Sequence, residues 1–197
     1  MMKSTKLIST IAFAFMVLFA FNAEAQDFKP LDKSPMDRAY YPAQAPVRAF
    51  AKTDEEKKAL EPQIRVTYSR PAKKGRVIFG DLLKYGEAWR IGANESTEIL
   101  FVNDVTFGGK TISAGRYSAV IIPTENEWTL KLNNGLDGWG NFGYDDSKDV
   151  VSVTAPVSKS EEVIENLSIA LYLASENTVH LKIGWDNSVA EFPITIK

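Results

Sequence analysis

Cysteine is absent from the 197-residue chain, and His180 is the only histidine. The absence of cysteine excludes disulfides and any zinc site built on thiolates. A single histidine leaves no H-E-x-x-H motif and no pair of imidazoles, so we predict no metal site and no cofactor. His180 alternates with apolar residues and stands two positions before Lys182, a pattern that predicts a histidine on the surface.

The chain also has little net charge, and it lacks the G-x-S-x-G sequence of many serine hydrolases. Its formal net charge is −2 at pH 7, from 23 basic and 25 acidic side chains. Such a balance provides no strong field to attract nucleic acid or an anionic membrane surface. We therefore predict no nucleic-acid partner, and the sequence leaves the oligomeric state open.

No apolar run reaches the length of about 20 residues that a membrane-spanning helix needs. The longest run, residues 7–21, follows two lysines and precedes Ala23-Glu24-Ala25. A basic start, an apolar run and a small-x-small site are typical of a signal peptide that is cleaved. We predict a signal peptide over residues 1–25, export to the periplasm or the medium, and no membrane span after cleavage.

Long amphipathic helices are also missing, because no ten-residue stripe has apolar residues at helical spacing. Residues 26–51 are rich in proline and are expected to run extended or irregular over the surface. Thr53 and Glu56 form a capping-box pattern that predicts one short helix ending near Leu60. We therefore divide the mature chain into a proline-rich arm with a short helix, 26–62, and a folded domain, 63–197.

The rest of the chain contains alternating apolar and polar residues. Residues 64–68, 128–132 and 179–185 have this period of two, which is typical of half-buried strands. Gly108-Gly109 predicts a tight hairpin, and Asp186-Asn187-Ser188 predicts another turn. About nine strands without crossover helices predict an all-β fold, an antiparallel β-sandwich that is jelly-roll-like or barrel-like, with one short N-terminal helix.

Aromatic and basic side chains are concentrated in and around two segments, 85–97 and 133–149. Flat aromatic faces and guanidinium donors together are suited to a small polar molecule, a sugar or a carboxylate. We predict that the two segments form one groove at an end of the sandwich. The predicted ligand-binding residues are Tyr68, Arg70, Arg76, Trp89, Arg90, Asn94, Glu95, Trp139 and Tyr144.

Three functions remain open on the sequence. The leading interpretation is a non-catalytic binder of a small polar or carbohydrate-like ligand. The second is a hydrolase in which Glu95 works with Asp145 or Asp149 as an acid and base pair. The third is a structural envelope interaction domain in which the same residues only hold loops together.

Two groups of charged residues carry expectations of their own. Asp145, Asp146 and Asp149 are oxygen donors of the kind that calcium takes, but the D-x-[DN]-x-[DN]-G pattern is missing, so we interpret the loop as a solvated turn. In the sequence W-R-I-G-A-N-E, a charge drawn inward without a partner would be costly. We therefore expect Arg90 and Glu95 to be joined directly or through a shared network.

Four stretches carry a resemblance to a known family: VTYSRPAKKGRVIFGDLLKYGEAWRIGANEST (66–97), AGRYSAVIIP (114–123), EWTLKLNNGLDGWG (127–140) and YDDSKDVVSVTAP (144–156). They resemble the bacterial exported family catalogued as domain of unknown function 2911. The resemblance covers most of the chain after Ser34. It implies almost nothing about function, because the family has no assigned activity.

Overall fold

The structure, a computed structural model, describes residues 28–197, and the predicted signal peptide lies outside these residues. Residues 28–31 have no regular secondary structure, and residues 32–197 form a unit of their own. Within 32–197 the helices are α1 (Asp54–Ala59) and two 3-10 helices, Ala45–Phe50 and Asp146–Lys148. The strands are β1 (Met36–Tyr41), β2 (Ile64–Ser69), β3 (Thr97–Phe101), β4 (Val105–Phe107), β5 (Lys110–Ile112), β6 (Gly115–Pro123), β7 (Glu127–Asn133), β8 (Asp149–Pro156), β9 (Ser158–Ser175) and β10 (Thr178–Ile196).

The strands form two antiparallel sheets. The first sheet has the order β1-β2-β3-β6-β7-β8, and the second has the order β5-β4-β10-β9. Phe101 and Leu130 of the first sheet share one hydrophobic core with Leu181 and Phe192 of the second, and each of these side chains is almost fully buried. The predicted all-β antiparallel sandwich is therefore confirmed.

The predicted local signals account for much of this architecture. Ile64, Val66 and Tyr68 of β2 are buried while the residues between them are partly exposed, as a period of two requires. The hairpin of β4 and β5 turns at Gly108-Gly109, whose φ angles of 58° and 75° are both positive. Positive φ at both central residues is the requirement of a type I′ turn, which glycine meets without steric strain.

The single α-helix also begins where the sequence predicts. The Thr53 hydroxyl accepts a hydrogen bond from the Glu56 amide at 3.1 Å, and the Glu56 carboxylate accepts one from the Thr53 amide at 3.3 Å. This reciprocal capping box satisfies amides that the first turn leaves free. In the part of the chain that the structure describes, no helix has the length and hydropathy needed to cross a membrane.

The proline-rich arm is more regular than expected. Met36–Tyr41 forms β1, which pairs with β2 over six residues, and Ala45–Phe50 forms a 3-10 helix. The backbone of β1 is extended, as expected, but its pairing with the free edge of β2 and the 3-10 helix after it were not predicted. The division of the chain near residue 62 stays a prediction.

Strand β10 folds back on itself. A straight strand of its 19 residues would be about 60 Å long. The Ile196 amide nevertheless donates to the Asn177 carbonyl at 2.9 Å, and Lys182 Nζ lies 3.2 Å from Glu191 Oε1. The two halves of β10 are therefore neighbours, and the chain reverses near Asp186, which has a φ of 56°. This is the place where Asp186-Asn187-Ser188 is predicted to turn.

Candidate functional site

The segment 85–97 is attached to the core through Trp89. The Trp89 amide donates to the Ile121 carbonyl and the Ile121 amide donates to the Trp89 carbonyl, both at 2.8 Å. The Trp89 ring is 4% exposed and stacks on Trp185 of β10 with centroids 5.9 Å apart. Trp89 thus holds the segment between the two sheets, and its position is fixed by the core.

The loop 133–149 lies directly on this segment. The Ser96 amide donates to the Gly138 carbonyl at 2.9 Å, and the Ser96 hydroxyl donates to the Gly140 carbonyl at 2.6 Å. Asn141 Nδ2 donates to the Ala88 carbonyl at 2.9 Å. The two segments that the sequence singles out are therefore brought together, and residues of both line two depressions, one of about 290 Å³ beside Glu95 and Gly138 and one of about 200 Å³ beside Ser96 and Tyr144.

A further concave surface, lined by segment 85–97 but by no residue of the loop 133–149, is a cleft of about 300 Å³, a size near the lower end for small-molecule pockets. We call it the Arg90 cleft. Its lining combines apolar and cationic side chains and contains no aspartate, glutamate or histidine. The lining residues are Ser34, Pro71, Arg76, Leu82, Leu83, Trp89, Arg90, Gly92, Ala93 and Trp185.

The Arg90 guanidinium has no hydrogen bond or ion pair with any residue between 28 and 197, and its Nε atom is shielded from solvent. Burial lowers the pKa of Arg90, although an arginine stays protonated in proteins. Trp89 Nε1 is a second buried donor without a partner in the described residues, and Arg65 Nε is a third. Two of these three unsatisfied donors therefore belong to residues of the Arg90 cleft.

The backbone after Arg90 is strained. Ile91 has a φ of 55°, which is unusual for a β-branched residue, and Asn94 has a φ of 60°. The Ile91 carbonyl accepts a hydrogen bond from the Thr97 hydroxyl at 2.8 Å, which helps to hold this conformation. Asn94, a predicted ligand residue, thus serves at least as a turn residue, since asparagine tolerates positive φ better than most.

The expected link between Arg90 and Glu95 is wrong, because the described residues contain no ion pair or shared hydrogen bond between them. Glu95 is exposed and lines a different depression, of about 290 Å³, together with Glu98 and Asp137. Arg116 forms ion pairs with two of these carboxylates, at 3.3 Å from Glu98 and 2.9 Å from Asp137. The turn places the two charges on different sides of the segment.

Tyr68 and Arg70 join the two sheets. The Tyr68 hydroxyl accepts a hydrogen bond from the Ile169 amide at 3.1 Å. Arg70 donates to Asp37 Oδ2 at 2.9 Å, to the Leu167 carbonyl at 3.1 Å, and to Ser168 Oγ at 3.0 Å. The structure therefore gives these two predicted ligand residues structural contacts between β1, β2 and β9.

Arg76 lies at the border of the Arg90 cleft and a second depression. Its Nε atom donates to the Lys73 carbonyl at 2.8 Å and its Nη2 atom to the Ala72 carbonyl at 2.6 Å. The second depression, which we call the basic annex, is lined by Lys33, Ser34, Pro71, Ala72, Lys74 and Arg76. Lys33 and Lys74 are not among the predicted ligand residues, although the run K-K-G-R at 73–76 was a signal of local positive charge around Lys74.

The carboxylates of the hydrolase alternative are held by local contacts. Asp149 lies 2.8 Å from Lys131 Nζ and accepts hydrogen bonds from Asn133 and Tyr144. Burial opposes ionisation of Asp149, but these hydrogen bonds outweigh it and lower its pKa. Hydrogen bonds from the Ser147 hydroxyl and amide likewise lower the pKa of Asp145.

Neither aspartate lies in the depression that Glu95 lines. Among residues 28–197 no group of three histidine, cysteine, aspartate or glutamate side chains is placed to hold a metal ion. The hydroxyl of Tyr144, a predicted ligand residue, donates hydrogen bonds to the Asp149 carboxylate. The loop is thus organised by its own hydrogen bonds.

Trp139 forms the exposed part of the loop. Its side chain is 60% exposed, and its backbone forms an isolated β-bridge with Glu95. Phe142, three residues later, is 81% exposed. The two tryptophans that were predicted to line one groove therefore lie in different environments. Trp89 is buried in the core, and Trp139 is exposed to solvent.

His180 lies on the outer face of β10, as its alternation with Val179 and Leu181 predicts. It is half-buried, and its Nδ1 atom lies 2.9 Å from Glu191 Oε2. The Tyr172 hydroxyl also donates to Glu191. Burial would raise the pKa of Glu191, but the hydrogen bonds from His180, Tyr172 and Lys182 lower it to about 2.

Comparison with known proteins identifies one family for this chain. Residues 51–194 match the family described as "Protein of unknown function (DUF2911)". A search of curated proteins and a search of solved structures give no significant match. The matched range contains α1, strands β2 to β9 and most of β10, together with most residues of the Arg90 cleft. The chain therefore belongs to the family of proteins of unknown function DUF2911, as the sequence resemblance predicts.

Proposed function

We propose that the protein is an exported β-sandwich that binds a small polar or carbohydrate-like ligand in the Arg90 cleft without catalysing a reaction on it. Export is supported by the signal-peptide pattern in residues 1–25. N-terminal sequencing of the protein recovered from the periplasm or the medium tests this part of the proposal. The expected first residue is Gln26.

The binding proposal rests mainly on the Arg90 side chain, which has no hydrogen bond or ion pair with any described residue. The Nε atom of Arg90 is shielded from water and has no acceptor among the described residues, which is unfavourable for the fold because the lost hydration is not replaced. Such a group is retained most readily when a ligand supplies the missing acceptors. The strained backbone at Ile91, next to Arg90, supports the same conclusion, since such strain is concentrated at functional sites.

The composition of the cleft favours binding over hydrolysis. General acid and base catalysis requires a carboxylate, an imidazole or a comparable group within hydrogen-bond distance of the substrate. The cleft offers apolar walls at Leu83, Trp89 and Trp185, and donors at Arg76 and Arg90, but no such acid and base pair. Apolar walls with a few placed donors are the usual composition of a binding pocket.

A thermal-shift screen followed by calorimetry tests the proposal. The chain starting at Gln26 is screened against neutral sugars, sugar acids, amino acids, carboxylic acids and phosphate compounds. The expected result is at least one compound that raises the melting temperature, because a ligand that binds only the folded state stabilises it by mass action. In Arg90→Met the affinity for that compound should fall about tenfold or more, as expected for the loss of hydrogen bonds from a charged group.

Arg90→Met keeps an apolar side chain of similar length, with the methionine sulfur in place of the Cδ atom that lies near Gly140, and removes the guanidinium, so the variant is expected to fold with unchanged or higher stability. Arg48→Met is the matched control, since Arg48 lies in the first 3-10 helix and makes a loose ion pair with Glu61 at 3.8 Å. It should bind like the wild type. A screen without any binder, or a binder that Arg90→Met retains at full affinity, would overturn the proposal.

A further inference from the structure

We infer that the ligand is an organic anion with at least two negative groups, which lies along the Arg90 cleft and the basic annex together; this inference rests on the proposed binding function. The two concave surfaces share Ser34, Pro71 and Arg76 as lining residues. They are therefore adjoining parts of one extended surface. A ligand longer than a single ring can occupy both.

The charge of this surface is of one sign. Lys33 and Lys74 of the annex, Arg90 of the cleft and Arg76 between them are all cationic, and neither lining contains a carboxylate. The whole chain is close to neutral, so this concentration does not follow from its composition. At the border of this surface, Asp32 and Glu165 accept hydrogen bonds from the Ser34 and Lys74 amides, so four cations face two carboxylates. An anionic ligand relieves the remaining repulsion while it gains charge-assisted hydrogen bonds.

The backbone turn that carries Lys74 and Arg76 is held in place before any ligand arrives. The Lys74 amide donates to Glu165 Oε1 at 2.8 Å, and Lys73 Nζ pairs with Asp186 at 3.1 Å. Arg76 is fixed by two carbonyls of the same turn and keeps Nη1 without a hydrogen bond among the described residues. A donor that is already oriented, as Arg76 is, loses little entropy on binding, which favours affinity and selectivity.

The walls indicate that the anion has an apolar face. Leu82, Leu83 and Trp185 line the cleft beside Arg90 and Trp89. A sugar acid presents such a face on its ring and carries a carboxylate at its edge, whereas a compact polycarboxylate carries only the charges. Both classes of ligand carry two or more carboxylates, and we infer that these carboxylates span the distance from Arg90 to Lys74. The experiment below distinguishes a sugar acid from a compact polycarboxylate.

Isothermal titration calorimetry of the chain starting at Gln26 with four probes tests the inference. The probes are galacturonate, digalacturonate, the neutral disaccharide galactobiose, and citrate. Digalacturonate or citrate is expected to bind at least tenfold more tightly than galacturonate, and at least tenfold more tightly than galactobiose. If digalacturonate binds more tightly than citrate, the ligand is a sugar acid. If citrate binds more tightly, the ligand is a compact polycarboxylate. The affinity for either should fall as salt is raised, because salt screens exposed charges.

Variants then separate the annex from the cleft. Lys74→Gln should reduce the affinity for the preferred dianion to about the level of galacturonate and leave galacturonate binding unchanged. Lys58→Gln, a change of the same kind at an exposed position of α1, is the control and should have no effect. Arg90→Met should weaken both anions.

The outcomes distinguish this inference from the proposed function. If galactobiose binds as tightly as digalacturonate, and Lys74→Gln has no effect while Arg90→Met abolishes binding, the anionic inference is wrong and the proposed function stands. If the screen yields only neutral compounds that depend on Arg90, the same conclusion holds. If no compound binds in a manner that depends on Arg90, both are wrong.

Discussion

Arg70 and Arg90 are the same residue type in opposite electrostatic environments. Arg70 donates to a carboxylate, a hydroxyl and a carbonyl, so its burial is compensated within the fold. Arg90 has no compensation of this kind among residues 28–197. The argument for a site therefore depends on the partners of an arginine and not on its presence in an aromatic and basic stretch.

Glu191 provides the clearest pH dependence at the scale of one residue. Its pKa is about 2 in the folded chain, below the ordinary value of 4.5. A lowered pKa stabilises the folded chain above about pH 4.5, and this contribution is lost as the pH falls from 4.5 towards 2. Glu191→Gln should therefore unfold more easily than the wild type at pH 7, by about 1 to 2 kcal/mol, because hydrogen bonds to a charged group are lost.

Chemical denaturation at several pH values between 7 and 2 measures this difference. The gap between the wild type and Glu191→Gln should narrow below pH 4.5 and close near pH 2. Glu162→Gln, an exposed glutamate of β9, removes one carboxylate of the same charge and should leave the wild-type curve nearly unchanged. A gap that stays constant from pH 7 to pH 2 would contradict the assignment of the stabilisation to the carboxylate.

At the scale of elements, the hairpin of β4 and β5 is where the two sheets meet at their edges. A Cβ atom at Gly108 would lie 2.7 Å from Val153 Cγ2 of β8, whereas a Cβ atom at Gly109 would meet nothing within 4 Å. Both glycines have positive φ, so alanine at either position costs about 1 to 2 kcal/mol in backbone strain. Gly108→Ala should lose about 1 to 3 kcal/mol more than Gly109→Ala, since valine is stiff and the contact is overpacked.

Denaturant unfolding of the two variants tests this, and their equal slopes with denaturant would confirm that only stability has changed. If Gly109→Ala were the less stable variant, contact with β8 would not be what makes a side chain at position 108 destabilising. The sequence predicts this turn because Gly-Gly is a local signal. It does not predict the contact with Val153, because that contact joins two sheets whose arrangement no local pattern determines.

The difference between local signals and contacts between distant parts of the chain also explains which parts of the site the sequence predicts. Segment 85–97 and loop 133–149 are recognisable by composition, and the structure brings them into contact through Ser96 and Gly138, whereas a single ligand groove formed by both stays a prediction. Lys33 and Lys74 reach the annex only because β1 and the turn after β2 lie close in the fold. The Arg90 and Glu95 expectation failed because Ile91 and Asn94 adopt positive φ, which places the two side chains on different sides.

At the scale of the whole molecule, β1 completes the first sheet from a part of the chain that the sequence assigns to an arm. Its six residue pairs cover the edge of β2, and Asp37 of β1 supplies the carboxylate that neutralises Arg70. Uncovered strand edges pair readily with other chains. We therefore expect the arm to contribute both to the stability of the sandwich and to its solubility.

A chain that starts at Pro42 and lacks β1 tests this contribution against the chain that starts at Gln26. The shorter chain should unfold at a clearly lower temperature and self-associate, because it loses the β1 pairing and leaves Arg70 without its ion pair. Thermal unfolding and sedimentation velocity measure the two effects. Asp37→Asn in the longer chain is the control that removes the ion pair alone, and it should lower stability without causing association. If the shorter chain matched the longer one in melting temperature and in oligomeric state, β1 would be dispensable and the arm would be separate from the domain.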